Sequence, residues 1–345
     1  LALGNSLGTG IKGLSAEVIE VKSLDEVDKL GKKVAGKIVF FNRPMDATKT
    51  NTFHAYGGAV DQRGGGAIRA AKYGAVAVLV RSMTVNIDDV PHTGAMHYEE
   101  GITKIPALAI STKAAETLSD LLQREPVRVY IRNTSRMLKD APSYNVIGEL
   151  RGTEKPSEII TVGGHLDSWD PAQGAHDDGT GCVQSMDVLN IFKRLGYRPK
   201  HTIRCVLFMN EENGLRGGAE YAKEAERKKE KHVAAIETDE GGFTPRSFSF
   251  EMEEPEFAKR KDKIQQFSSL LAPYELTLHR GGSGADIGPL EKQGVPLIGL
   301  NVDTQRYFDI HHTPTDTIEN VSPRELQMGV AALASLIYLL DKYEF

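Results

Sequence analysis

The chain has 345 residues and a formal charge of −5, from 42 basic and 47 acidic side chains. So small an imbalance argues against nucleic acid or an acidic membrane surface as a bulk partner. The length leaves room for two domains, each with its own core. The longest apolar stretch, 329–340, is too short to cross a bilayer and suits a packed terminal helix. Cys182 and Cys205 read as inert buried thiols. The opening Leu1-Ala2-Leu3-Gly4 has no initiator methionine and no signal pattern, as expected of a processed or trimmed chain.

In chain order, residues 1–135 form a module of mixed α and β. Strands are expected at 16–21 and 37–41. The glycine run 64–66 precedes a helix over 67–73, and strands follow at 76–80 and 105–110. A helix capped by Ser111 or Thr112 runs to 123, and a last strand covers 127–131. The polar stretch 133–142 ends in proline and is the candidate linker. Beyond it, strands at 144–150, 158–163, 202–209, 232–237, 247–251 and 296–300 alternate with helices at 180–195, 216–227, 256–271 and 323–342. That alternation predicts an α/β domain over 136–345, with a mostly parallel mixed sheet flanked by helices.

Two features carry no chemistry. Gly31 to Lys37 has the spacing of a phosphate loop, but Ile38 stands where Ser or Thr is required, and the segment precedes a strand instead of following one. The charged run 226–231 is a solvated helix end.

Ligands of parallel sheets bind beyond the carboxyl ends of strands. The expected strand ends carry His165, Asp167, Asp177 and Asp178 after 159–162, then Glu211 and Glu212 after 206–209, then Asp239 after 233–236. His311 and His312 come late in the chain. Each has an ordinary alternative. Paired glutamates suit a solvated turn, Asp239 a helix cap, and His312 a hydrogen-bonded loop. Their recurrence at successive strand ends favours one site. Imidazole and carboxylate donors without thiolate suit zinc, with manganese or cobalt as alternatives. Two histidines and three carboxylates match two metals sharing one bridging carboxylate.

The motifs Gly-Gly-His-Leu-Asp-Ser-Trp-Asp, Gly-Ala-His-Asp-Asp-Gly-Thr-Gly, Asn-Glu-Glu-Asn-Gly, Glu-Thr-Asp-Glu-Gly-Gly and His-His-Thr-Pro-Thr-Asp-Thr resemble the co-catalytic zinc exopeptidases of metallopeptidase family 28. The likeness covers about 143–345 and points to carboxypeptidase Q-like and bacterial aminopeptidase members. Residues 1–135 resemble the protease-associated (PA) domain that many members carry as an insert. The resemblance implies two Zn2+ ions, with Asp177 bridging, His165 and Asp239 completing one site, and Glu212 and His312 the other. It makes Glu211 the general base acting with a metal-bridging hydroxide, and Asp167 the support of His165. It also implies a cis peptide bond before Asp178, and His311 as a donor to the oxyanion.

The implied activity is removal of N-terminal residues or hydrolysis of dipeptides. A carboxypeptidase, or an amidohydrolase acting on non-peptide acyl amides, is the alternative. The flexible loop 281–286 is expected to line the site, and Asp170 or Asp286 is a candidate for binding a free α-amine. Arg280 and Arg306 are the nearest candidates for a terminal carboxylate. The expected partners are a peptide or dipeptide substrate and a second copy in a homodimer, with an exported location.

Overall fold

A computed structural model describes residues 1–345. The chain forms two compact units, Leu1–Ala141 with Gln305–Thr315, and Pro142–Thr304 with Asp316–Phe345. The first unit begins with β1 (Leu14–Val21), α1 (Leu24–Leu30), β2 (Ile38–Phe41), α2 (Thr52–Gly57) and α3 (Asp61–Lys72). It continues with β3 (Ala77–Arg81), β4 (Ala107–Ile110), α4 (Thr112–Leu122) and β5 (Arg128–Ile131). The sheet order is β4-β3-β2-β1-β5, parallel except for β5. Val18, Ile38, Phe40, Leu79, Leu118 and Ile131 pack into its core. Ser111 caps α4 by accepting from the N–H of Ala114, as expected of a short polar side chain at that position.

The glycine run does not precede α3 but lies inside it. A Cβ on Gly66 would stand 2.8 Å from the Phe41 ring, so close packing of helix on strand outweighs the poor helix propensity of glycine. The short helices α1 and α2 were not expected. Each has six or seven residues, too few to display an apolar period.

The second unit begins with β6 (Val146–Leu150), β7 (Lys155–His165), α5 (Thr180–Arg194), β8 (His201–Phe208), α6 (Arg216–Lys228) and β9 (Lys231–Glu237). There follow β10 (Pro245–Glu251), α7 (Glu254–Leu271), β11 (Thr277–Arg280) and β12 (Leu297–Val302). The sheet order is β11-β10-β12-β9-β7-β8-β6, parallel except for the β10–β12 and β6–β8 pairs. This is the mostly parallel mixed sheet that the sequence predicts, with the four-residue β11 added.

Alternation along β8 explains its two covers. Cys205 and Leu207 pack with Cys182 of α5, whereas Val206 and Phe208 pack with Tyr221, Ala222 and Ala225 of α6. Successive strand residues point to opposite faces, so α5 and α6 cover opposite sides of the sheet. Both thiols are free and buried, and burial pushes the Cys205 thiol up to about 12.

After β12 the segment Gln305–Thr315, which sequence order alone assigns to the second domain, packs within the first unit. It carries α8 (Tyr307–Ile310). Aromatic packing holds it there: Phe53 lies 5.3 Å from Tyr307 and 4.9 Å from Phe308, and Tyr56 lies 4.7 Å from Phe308, between ring centroids. The chain ends with α9 (Pro323–Tyr343), which Ser322 caps.

Candidate metal centre

Three parallel strands, in the order β9-β7-β8, end side by side. His165 pairs with Phe208 at the ends of β7 and β8, and Gly163 pairs with Glu237 at the end of β9. His165, the turn carrying Glu211 and Glu212, and Asp239 therefore emerge along one edge of the sheet.

His165 is buried, 1% exposed. Its Nδ1 lies 2.8 Å from the backbone carbonyl of Asp167. A carbonyl can only accept, so Nδ1 carries a proton. Nε2 lies 3.2 Å from Asp177 Oδ1 and 3.3 Å from Asp239 Oδ1. One imidazole nitrogen thus faces two carboxylates while the other fixes the ring.

The carboxylate of Asp167 does something other than the sequence suggested. It stands 4.0 Å from His165 Nδ1, because the residue's own backbone carbonyl occupies that position. It accepts instead from the backbone N–H groups of Glu211 (3.0 Å) and Glu212 (3.3 Å). That turn opens with Asn210 at φ 69°, the left-handed region asparagine tolerates, and leaves both amides available. Asp167 therefore positions the pair of glutamates.

Asp177 and Asp178 lie on a distorted turn, Ala175–Gly179, and the peptide bond between them is cis. Asp178 is tied down: Oδ2 accepts from the N–H of His165 (2.9 Å) and Oδ1 from that of Gly181 (3.0 Å). A Cβ on Gly164 or Gly181 would come within 2.1 or 2.3 Å of this carboxylate, which accounts for glycine at both positions. Asp178 is thus a brace for the backbone, and Asp177 faces His165. The turn is held from outside by Asp316, which is fully buried. Its Oδ1 accepts from the N–H of His176 (2.8 Å) and its Oδ2 from that of Asp177 (3.1 Å). Asp316 lies within the motif His-His-Thr-Pro-Thr-Asp-Thr, where its residue type alone indicates no role. Nothing short of the fold connects it to Asp177.

The electrostatics call for a cation. Burial opposes charge on the His165 ring, but the carboxylates of Asp239 and Asp177 outweigh it and raise the imidazole well above its ordinary value. Burial, then the charge of Asp239, raises Asp178 and pushes Glu211 up to about 8. His165, Asp178 and Asp239 offer ligand-type atoms within 4.8 Å of one another. The engagement of both Asp178 oxygens by backbone amides leaves Asp177 as the better donor. An imidazole and clustered carboxylates are a donor set that fits divalent zinc.

His311 and His312 belong to the first unit, where both are buried and their rings stack with centroids 3.4 Å apart. Of the other candidates, Asp286 lies close enough to feel the charges of His165, Asp239 and Asp167. Asp170 is exposed. Asp286 is 1% exposed, and burial followed by the charge of Glu237 pushes its carboxyl up to about 8. Arg280 pairs with Glu254 at 2.8 Å.

Residues 145–337 match the model of Peptidase family M28. Carboxypeptidase Q of Bos taurus is 36% identical over all of this chain and 71% of its own length, and that of Xenopus laevis 37% with the same coverage. The chain belongs to Peptidase family M28. It is accordingly a zinc metallopeptidase. Among solved structures, the peptidase M28 precursor from Shewanella amazonensis SB2B superposes with a TM-score of 0.94 at 34% identity, covering all of this chain and 77% of that one. BSAP, a zinc aminopeptidase from Bacillus subtilis, superposes at 0.65 with 20% identity over all of this chain and 80% of that one, a likeness of fold. This M28 peptidase has no helix long and apolar enough to cross a membrane.

Proposed function

We propose that the chain is a dinuclear zinc exopeptidase that removes N-terminal residues from peptides or splits dipeptides. The observation that carries the proposal is His165 Nε2 facing Asp177 and Asp239 at 3.2 and 3.3 Å, with Nδ1 anchored on a carbonyl. His165 and Asp239 would hold one zinc, Glu212 and His312 the other, and Asp177 both. When bound, the two ions supply Lewis-acid polarisation of the scissile carbonyl and a water acidified towards neutrality.

The chain's own groups do the rest. Glu211 takes the proton of the attacking water and returns it to the leaving amine. Its backbone is pinned by Asp167, and burial, then the charge of Asp239, raises its carboxyl above the ordinary range. His311 donates a hydrogen bond to the oxyanion. Its ring is steadied by edge contacts with Tyr56 and Phe308. The first unit is read as a PA domain, the protein as exported, and its assembly as a homodimer.

Engagement of Arg280 by Glu254 supports recognition of a free amine over a free carboxylate. The name of the carboxypeptidase Q relatives favours the second reading, release of a C-terminal residue. Metal content per chain, with dipeptide hydrolysis assayed before and after chelation, tests the centre. Two zincs, with activity lost to chelator and restored by zinc, are expected; a folded, zinc-supplied chain that holds one ion or none refutes it. N-acetylated and C-amidated dipeptides then separate the two specificities, since an aminopeptidase rejects the first and accepts the second.

A further inference from the structure

The two histidines assigned to zinc are held by one device used twice. His165 Nδ1 meets the carbonyl of Asp167, and His312 Nδ1 lies 3.3 Å from the carbonyl of Thr93. In both cases the carbonyl can only accept, so Nδ1 carries the proton and Nε2 keeps its lone pair. For His165 the anchor is two residues away. For His312 it is 219 residues away, between β3 and β4 of the first unit.

The contact is closed from both sides, because the Thr93 N–H donates to the carbonyl of His312 at 3.1 Å. His312 itself has φ 62°, a left-handed conformation costly for a residue with a side chain and kept only where neighbours impose it. Thr93 is held in turn. Its hydroxyl donates to the carbonyl of Ala2 (2.8 Å), and its carbonyl also accepts from Arg63 Nη1 (3.4 Å). Beside it, Gly94 has φ 135°, and a Cβ there would stand 2.3 Å from Arg63 Nη1. His92, on the other side, is 2% exposed, and its backbone N–H donates to Ser82 Oγ at 2.8 Å. The segment is therefore buried, bonded at each residue, and strained by any side chain at the glycine, whose φ is 135°.

We propose that the segment 92–94 of the first unit is the positioning element of the zinc ligand His312, with the Thr93 carbonyl selecting the tautomer that leaves Nε2 for the metal. This rests on the reading of His312 as a ligand.

Two measurements on the full chain test it. In the zinc-loaded protein labelled with 15N-histidine, the His312 ring, assigned by comparison with H312N, is expected to carry its proton on Nδ1; a proton on Nε2 overturns the proposal. In the second, zinc release to a chromogenic chelator is followed for the wild type, H312A and G94A, with thermal unfolding of each metal-free protein in parallel. H312A is expected to lose one of two zincs. G94A is expected to release that same zinc about 10–100-fold more readily, the range typical of lost support for a ligand, while the other stays bound as in the wild type. If G94A lowers only the metal-free unfolding temperature and releases zinc normally, the segment is merely structural and the proposal fails. If H312A retains both zincs, the ligand assignment itself fails, a result distinct from normal release by G94A. The tautomer is read in the wild type and does not depend on G94A, so it decides the case even if that variant does not fold.

Discussion

Asp316→Asn tests whether the turn carrying Asp177 is shaped from outside. The carboxylate of Asp316 is fully buried and accepts from two successive amides, His176 N–H at 2.8 Å and Asp177 N–H at 3.1 Å. Asparagine has nearly the same shape but offers one oxygen. Whichever way the amide turns, one backbone N–H then faces an NH2 group and loses its acceptor. A hydrogen bond to a charged group contributes about 1.5–3 kcal/mol, and a buried unpaired donor costs about 1–3 kcal/mol. Relaxation of the turn recovers part of this, which leaves about 2–3 kcal/mol. If that loss falls on the conformation that presents Asp177, zinc affinity drops by about 30–150-fold, at 1.4 kcal/mol per decade. Competition for zinc against chelators of graded affinity measures it directly, with circular dichroism confirming that the metal-free variant is folded. A folded D316N that binds zinc within about threefold of the wild type refutes the claim that Asp316 holds the turn.

Three further outcomes are expected. On the proposed reading, Glu211→Gln keeps its zinc and lowers kcat by about 10²–10⁴-fold, the usual scale for a lost general base; loss of zinc in E211Q, measured by elemental analysis, would make Glu211 a ligand instead. Asp341→Asn strikes a buried brace of the second unit, where one carboxylate accepts from the Tyr197 hydroxyl (2.5 Å), the Lys200 N–H (3.0 Å), and both the N–H and Nδ1 of His201 (2.8 and 3.0 Å). Its cost is about 2–4 kcal/mol of unfolding free energy in urea, from loss of buried charge-assisted bonds, and a change below 0.5 kcal/mol contradicts the assignment. His232→Phe addresses pH. Burial, aided by the charge of Arg204, lowers the His232 ring to about 4, so between pH 6.5 and 4 the unfolded chain binds a proton that the folded chain does not. Stability is complete above pH 6.5 and falls as pH drops through that window, by at most about 3 kcal/mol for this group. H232F should shed up to one proton of the slope in metal-free protein, and an unchanged slope shows that His232 does not contribute.

What was legible in the sequence was whatever a short motif or a period carries. Alternation predicted β7, β8 and β9, and strand ends then pointed to His165, the Glu211 turn and Asp239 without any knowledge of the sheet order. Periods fail for elements too short to show one, hence the unexpected α1, α2 and β11. They also mislead where packing overrides propensity, as with the glycines inside α3. The direction of a side chain was less accessible still. A spacing of two placed Asp167 beside His165, yet the backbone carbonyl took the ring and freed the carboxylate for the next strand's turn.

The supports of the site were beyond reach for a further reason. A ligand's identity is chemical and shows in the residue type, whereas its tautomer and direction depend on a backbone group whose residue type is irrelevant. Thr93 holds His312 through its carbonyl and its N–H, which any residue but proline could supply. The segment leaves a trace only indirectly, in a glycine at position 94 whose φ of 135° disfavours any side chain. Sequence patterns of a metal centre therefore expose the donors first. The groups that aim those donors appear only when the fold brings segments such as 92–94 and Gln305–Thr315 together.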